Sequence, residues 1–272
     1  MNGKIGVFDS GYGGLTVFKE IIKELPQYDY VYLGDNARAP YGSRSFETVY
    51  KFTLECVQLL FDMECPLVIL ACNTASAKAL RTIQQKDLPK IAPNNRVLGV
   101  IRPTTEVIGN YSHTKHIGIF ATEGTVKSES YLIEIQKFFP ELNVVQQACP
   151  MWVPLIENNE HLSEGADYFV QKYMQSLLKQ DAQIDTILLA CTHYPLILPK
   201  LKQYIPDHIQ IVSQEKIVAK SLKEYLQRHP EIESKIGKRG NRFFYTTAEA
   251  DWFNEKAELF YGEKINAKKI SK

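Results

Sequence analysis

Val68-Ile-Leu-Ala-Cys72 returns 119 positions later as Ile187-Leu-Leu-Ala-Cys191, and this pair of runs decides how the chain is read. Each is a short apolar run that ends on a cysteine. Each is followed by small polar residues opening a helix, Asn73-Thr74-Ala75-Ser76 in one case and Thr192-His193-Tyr194-Pro195 in the other. Pro195 suits a first helical turn, where its missing N–H would go unused anyway. A second echo lies upstream: Ile5-Gly-Val-Phe-Asp9 is answered 112 positions later by Ile117-Gly-Ile-Phe-Ala121. One match among apolar strands is chance. Two in the same order, with nearly the same offset, imply duplicated halves.

Working outward, β-rich runs alternate with segments of helical period. Residues 5–8, 30–33, 67–71, 97–101, 116–120, 144–145, 186–190, 209–212 and 243–246 read as strands. Several are apolar throughout, as parallel strands covered on both faces must be. Between them, Phe46, Val49, Tyr50, Thr53, Cys56, Val57 and Leu60 repeat at helical spacing after a Ser45 cap, and Phe169, Val170, Tyr173, Met174, Leu177 and Leu178 do the same. The alternation predicts an α/β fold built on mainly parallel sheets.

Composition narrows the partners. The 272 residues suffice for one large α/β domain or two smaller ones around a shared cleft. Lys plus Arg total 32 and Asp plus Glu 31, so the formal charge of +1 gives no reason to expect nucleic acid or an anionic membrane. The expected partner is a small molecule or another protein. No apolar run reaches membrane-spanning length, and the N-terminus enters a strand-like run without a signal-peptide core, so a cytoplasmic protein is expected. The five cysteines (56, 65, 72, 149 and 191) are odd in number and lack Cys-x-x-Cys spacing, which predicts thiols. Cys56 falls on an apolar helix face, and Cys65 and Cys149 each precede a proline; all three read as structural.

Cys72 and Cys191 carry the chemistry. In open α/β sheets, ligands bind beyond the carboxyl ends of strands. A thiol there faces the positive end of a helix, which is expected to lower its pKa, and the free N–H groups attract a carboxylate. Two thiols on opposite sides of a stereocentre are what racemisation needs: one thiolate removes the α-proton and the other thiol donates to the opposite face. Preorganised N–H donors would stabilise the carbanion-like transition state. Asp9 opens the loop Asp9-Ser10-Gly11-Tyr12-Gly13-Gly14, which fits neither nucleotide-binding glycine pattern. His193 stands two residues from Cys191 and can orient or activate it, and Glu157 is a candidate to hold His193. Two rival readings use part of this set. Zinc could take Cys72, Cys191 and His193, without the usual paired spacing. A cysteine–histidine hydrolase would use Cys191 and His193 and leave Cys72 idle.

The segments Gly6-Val-Phe-Asp-Ser-Gly-Tyr-Gly-Gly14, Gly34-Asp-Asn-Ala-Arg-Ala-Pro-Tyr-Gly42, Cys72-Asn-Thr74, Cys149-Pro-Met-Trp-Val-Pro-Leu-Ile-Glu157, Cys191-Thr-His-Tyr-Pro195 and Phe244-Tyr-Thr-Thr247 resemble, in order and over nearly the whole chain, the glutamate racemase family within the cofactor-independent aspartate/glutamate racemases. The resemblance implies two similar, pseudo-symmetric α/β lobes facing a central cleft, residues 1–98 with 213–272 and residues 99–212, each giving one cysteine. It implies proton transfer by Cys72 (from D-glutamate) and Cys191 (from L-glutamate), with Asp9 assisting Cys72 and with Glu157 and His193 assisting Cys191. Substrate contacts would fall on Asp9, Ser10, Pro40, Tyr41, Gly42, Cys72, Asn73, Thr74, Cys191, Thr192 and His193. It further implies D-glutamate supply for peptidoglycan, no cofactor or metal, and a homodimer. Two places depart from the family pattern: Arg102-Pro103-Thr104-Thr105 replaces a Pro-Gly pair, and Ser213-Gln214-Glu215 lacks an Asp-Ser pair. The nearest rival keeps the mechanism and takes aspartate; another is a binding or inhibitor relative that retains the fold without turnover.

Overall fold

The computed structural model describes residues 3–270, so the outermost ends of the expected first lobe, residues 1–2 and 271–272, lie outside the described residues. Among the described residues ten strands form two sheets, parallel throughout. They are β1 (Ile5–Asp9), β2 (Tyr30–Gly34), β3 (Leu67–Leu70), β4 (Arg96–Gly99), β5 (His116–Ala121), β6 (Asn143–Ala148), β7 (Thr186–Ala190), β8 (Gln210–Ser213), β9 (Arg242–Thr246) and β10 (Lys268–Lys269). The first sheet runs β10-β9-β2-β1-β3-β4 and the second β6-β5-β7-β8. The central order β2-β1-β3-β4 is therefore repeated as β6-β5-β7-β8, with β9 and β10 extending the first sheet.

The repetition reaches single residues. Ile5 lies opposite Leu67 in the first sheet, and Ile117 lies opposite Thr186 in the second. These are the positions that the two sequence echoes equate, so the halves share a pairing register as well as a strand order. The fold is two similar α/β lobes.

Burial explains the strand composition. All residues of β1, β2, β3 and β7 are buried, because helices cover both faces. Alternate residues serve different cores: Ile5, Val7, Leu67 and Ile69 join the large central cluster, whereas Phe8, Val68 and Leu70 face the helix Phe46–Asp62. That helix begins as its sequence predicts, with the Ser45 hydroxyl accepting from the Thr48 N–H at 3.1 Å, a cap worth about 1 kcal/mol. It buries Val49, Thr53, Cys56, Val57 and Leu60. The central cluster also takes Phe120, Trp152, Ile187 and Leu189 from the second lobe, so one apolar core runs through both.

Two expectations need correction. The strand expected over 97–101 stops at Gly99: Val100 has turned to helical angles (φ −89°, ψ −11°) and Ile101 opens the short helix Ile101–Thr105. An apolar run alone does not distinguish a buried strand from the first buried turn after it. The turn after Cys191 is a 3₁₀ segment, Tyr194–Ile197, with Pro195 in its first turn, and not an α-helix from the outset. The two-residue β10 was missed because Lys268-Lys269 is exposed and carries no apolar pattern. After β8 completes the second sheet, the helix Glu215–Arg228 packs along the helix Gly14–Glu24 of the first lobe. Among the described residues no helix is long and apolar enough to cross a membrane.

Candidate active site

The carboxyl ends of β3 and β7 bring their cysteines to one cavity. Cys72 follows β3 in extended geometry and caps the helix Asn73–Lys78, its sulfur accepting from the Ala75 N–H at 3.4 Å. The Ser10 hydroxyl lies 3.4 Å from the same sulfur. Asp9, at the end of β1, sits behind this pair. Its Oδ1 accepts from the Gly11 N–H at 2.8 Å, while Oδ2 is buried without a hydrogen-bond partner. Burial raises the Asp9 pKa, against the pull of His193 and the Gly11 and Gly14 N–H groups. Cys72 is pushed up to about 12, by burial first and by the Asp9 charge second; Ser10 and Ala75 recover only part of this. The expected lowering of this thiol by the helix start is therefore overturned. Desolvation of a cysteine that is 6% exposed outweighs one turn of N–H groups.

The second lobe solves the same problem with other groups. Cys191, also 6% exposed, lies 4.0 Å from His193 Nδ1, and His193 Nε2 lies 2.9 Å from Glu157 Oε1. Burial lowers the His193 pKa, but its bonds to Cys191 and Glu157 reverse the sign and carry it to about 10. Glu157 closes the helix Trp152–Glu157; burial raises its pKa, and the bond and charge of His193 bring it below the ordinary value. The Asp9–Gly14 loop crosses from the first lobe to meet this segment. The Thr16 hydroxyl donates to the Thr192 carbonyl at 3.0 Å, and a Cβ on Gly13 would come within 2.3 Å of His193 Nδ1. Only glycine permits that approach.

The cavity between the lobes holds about 350 Å³, a volume suited to a small metabolite. Ser10, Pro40, Tyr41, Gly42, Cys72, Asn73, Thr74, Cys191, Thr192, His193 and Glu157 all line it. Asp9 does not; it lies one layer deeper. The lining contains no Lys or Arg, so an anionic ligand would be held by neutral N–H and O–H donors and by His193. Tyr41 faces the cavity with its ring while its hydroxyl is taken by Asp35 at 2.5 Å. Asp35 also binds Arg38 Nε at 2.6 Å and the Thr247 hydroxyl at 2.8 Å, which anchors the Pro40–Gly42 segment from below. Thr74 and Thr122, from opposite lobes, bring their hydroxyl oxygens within 3.0 Å of each other. Among the described residues no group of three or more His, Cys, Asp or Glu could hold a metal ion.

Sequence reasoning missed several lining residues. Thr122 is the counterpart of Ser10 once the β1 and β5 echoes are aligned, so the internal repeat held the signal. Cys149, which its place before Pro150 marks as structural, lines the cavity with its thiol donating to the Gln147 carbonyl at 3.6 Å. Glu123, Val153 and Asn158 also line it and had no signal of their own.

Facing parallel sheets that each deliver a thiol to a shared cavity settle the class first: residues 5–222 match the family model for Asp/Glu/Hydantoin racemases, and the chain belongs to that family of isomerases. The relatives are glutamate racemases in particular. That of Bacillus cereus is 39% identical over 271 residues, covering 99% of this chain and 97% of the relative. The crystal structure of a Bacillus anthracis glutamate racemase superposes with a TM-score of 0.88 at 33% identity, over 99% of this chain and 97% of that one. The Francisella tularensis glutamate racemase, solved in complex with D-glutamate, gives 0.87 at 30% identity over 99% and 98% of the two chains.

Proposed function

We propose that this protein racemises glutamate without a cofactor by two-base proton transfer between Cys72 and Cys191, supplying D-glutamate for peptidoglycan. The observation that carries this reading is the placement of two thiols at equivalent strand ends, lining one small cavity with different titratable neighbours.

The neighbours of the two thiols differ in charge. With its pKa near 10, His193 is an imidazolium at neutral pH, fixed by Glu157, and a thiolate on Cys191 would rest against that charge. Cys72, pushed up to about 12, rests as the neutral thiol. The pair is set for L-glutamate: Cys191 takes the α-proton and Cys72 delivers its own to the other face. The reverse run begins with Cys72 as thiolate. In that state Cys191 is the thiol and Cys72 has passed its own proton to Asp9, whose raised pKa suits it to accept, so that the Cys72 and Asp9 negative charges do not coexist. Donors from Ser10, Asn73, Thr74 and Thr192, with the loop Pro40–Gly42, would bind the two carboxylates and stabilise charge developing at the α-carbon. The lobes divide this labour, with Asp9 and Cys72 in residues 1–98 and 213–272, and Glu157, Cys191 and His193 in residues 99–212. The same reading takes the protein as a cytoplasmic homodimer; the exposed side chains of Leu162, Tyr168 and Trp252 are apolar surface available for such an interface.

The test is chiral chromatography of purified, reduced protein with L-glutamate and, separately, L-aspartate, with no cofactor added. Decay of optical purity with glutamate alone is expected, and Cys72→Ser or Cys191→Ser should each abolish it by a factor on the order of a thousand or more. An active single variant would refute the two-base scheme. Decay with aspartate alone would keep the mechanism and replace the substrate.

A further inference from the structure

Asn73 follows Cys72 in the cavity wall, and its amide belongs to a closed ring of buried hydrogen bonds. Asn73 Nδ2 donates to Gln214 Oε1 at 2.8 Å, Gln214 Nε2 donates to the Tyr131 hydroxyl at 2.5 Å, and that hydroxyl donates to Asn73 Oδ1 at 2.6 Å. Gln214 Nε2 also reaches Thr104 Oγ1 at 3.0 Å, and the Thr104 hydroxyl donates to the Val100 carbonyl at 3.1 Å. All four side chains are buried, Tyr131 and Thr104 completely. The ring joins three separate segments: the turn after β3, the helix Ser130–Phe138, and the residue that follows β8.

A ring of this kind could in principle run in either sense, but the Val100 carbonyl chooses one. It lies 3.4 Å from Gln214 Nε2 and can only accept. Reversing the Gln214 amide would set Oε1 against this carbonyl, two acceptors with no proton between them in a dry environment. The sense of Gln214 in turn fixes Asn73: its Oδ1 is taken by Tyr131, and one Nδ2 proton is taken by Gln214. What the amide has left for the cavity is its second N–H.

We propose that Tyr131 and Gln214 are positioning residues that hold Asn73 as a hydrogen-bond donor to a carboxylate of the substrate. This rests on the reading of the cavity as a glutamate site. Neither residue lines the cavity, and both act through Asn73. Gln214 belongs to the segment where the chain departs from the family pattern, so this chain orients the donor with a neutral amide from that segment.

The experiment compares Tyr131→Phe, which keeps the ring and removes one hydroxyl, alone and in an Asn73→Ala background. Removal of one orienting hydrogen bond should raise KM for L-glutamate about tenfold while kcat changes less than about threefold. In the Asn73→Ala background the same substitution should change KM less than about twofold. Gln214→Met, of matching length, should repeat both results. A readout independent of turnover is the Asn73 side-chain amide in 15N-labelled protein, identified by its absence in Asn73→Ala: its solvent exchange should be slow in the wild type and faster in Tyr131→Phe. Equal KM changes in both backgrounds, or unaltered amide exchange, would overturn the proposal. Wild-type protein inert towards glutamate but with the amide response intact would strike the substrate reading while supporting the ring's hold on Asn73.

Discussion

Replacing Glu157 by glutamine keeps the shape of the side chain and removes its charge from His193. The two groups are 2.9 Å apart, with side chains 7% and 23% exposed. At that distance an effective dielectric of about 20 gives an attraction of roughly 6 kcal/mol as an upper bound. Solvent at the carboxylate and the hydrogen bond that glutamine can still accept reduce the loss to about 2 kcal/mol, or about 1.5 pKa units. His193 would then titrate well below its wild-type value of about 10. In the proposed scheme its protonated form supports a thiolate on Cys191, so activity should fall as pH rises through the His193 pKa. The alkaline limb of the L-to-D reaction should move down by about 1–2 pH units in Glu157→Gln. Relative to wild type the loss should be about fourfold at pH 9 and more than tenfold at pH 10, with little difference in this term at pH 7. Cys72, near 12, stays protonated across that window and leaves the limb to His193. Initial rates by circular dichroism, from pH 6 to 10.5, measure this directly. An alkaline limb that stays in place in Glu157→Gln would refute the assignment of His193 as the cation beside Cys191.

Other outcomes follow from single contacts. Gly13→Ala puts a methyl group 2.3 Å from His193 Nδ1 and 2.4 Å from Thr192 Oγ1; racemisation should fall more than about tenfold with an unchanged far-ultraviolet spectrum, and a fully active variant would show that His193 need not hold its place. Asp185 accepts from Ser112 at 2.6 Å, from the His113 and Thr114 N–H groups at 2.7 and 2.8 Å, and from Thr186 at 3.0 Å. These bonds bring its pKa to about 2 against the opposing effect of burial, so the stability it contributes is present above about pH 4 and lost as pH falls through 2. Asp185→Ala should cost about 2–4 kcal/mol in urea unfolding at pH 7, with a smaller difference from wild type at pH 2.5; an equal difference at both would refute the ionic origin. Asp9→Asn removes the charge behind Cys72 while leaving a group that can accept from Gly11. It should lower kcat for the D-to-L direction, with KM for D-glutamate falling in step, and leave the His193-dependent alkaline limb in place, as kcat and KM profiles against pH in both directions would report.

The strands and the two thiols were legible because their signals are local and repeated. An apolar run, a terminal cysteine and a small polar helix start occur twice, and the offset between copies survives as the pairing register Ile5–Leu67 and Ile117–Thr186. What could not be read was set by three-dimensional closure. The pKa of Cys72 depends on how completely water is removed and on Asp9, which is remote in sequence but adjacent in the sheet. Val100 continues an apolar run yet leaves the strand for the buried first turn of the helix Ile101–Thr105, which an apolar run does not reveal. The Asn73–Gln214 bond spans 141 residues and leaves no periodic trace. Glu157 and His193 were nameable as a candidate pair, from motif resemblance and spacing, but not their distance. Their 2.9 Å contact depends on the helix Trp152–Glu157 packing on the turn after β7.

The two lobes repeat their backbone but not their chemistry: β1 ends on Asp9, whereas its counterpart β5 ends on Ala121, and the second lobe draws on Glu157 and His193 instead. Mirror-image amino acids have equal free energy in water, so for a racemase the quotient kcat/KM must be the same for both hands of the substrate, whatever the protein does. Unequal partners on the two thiols can therefore show themselves only in kcat and KM separately, each difference cancelled by the other. A side that turns over faster at saturation must also hold its enantiomer more loosely in the kinetic sense. The divergence of the duplicated halves thus leaves the final ratio of enantiomers untouched and sets, for each hand of the substrate, the limiting rate and the concentration at which the site is half filled.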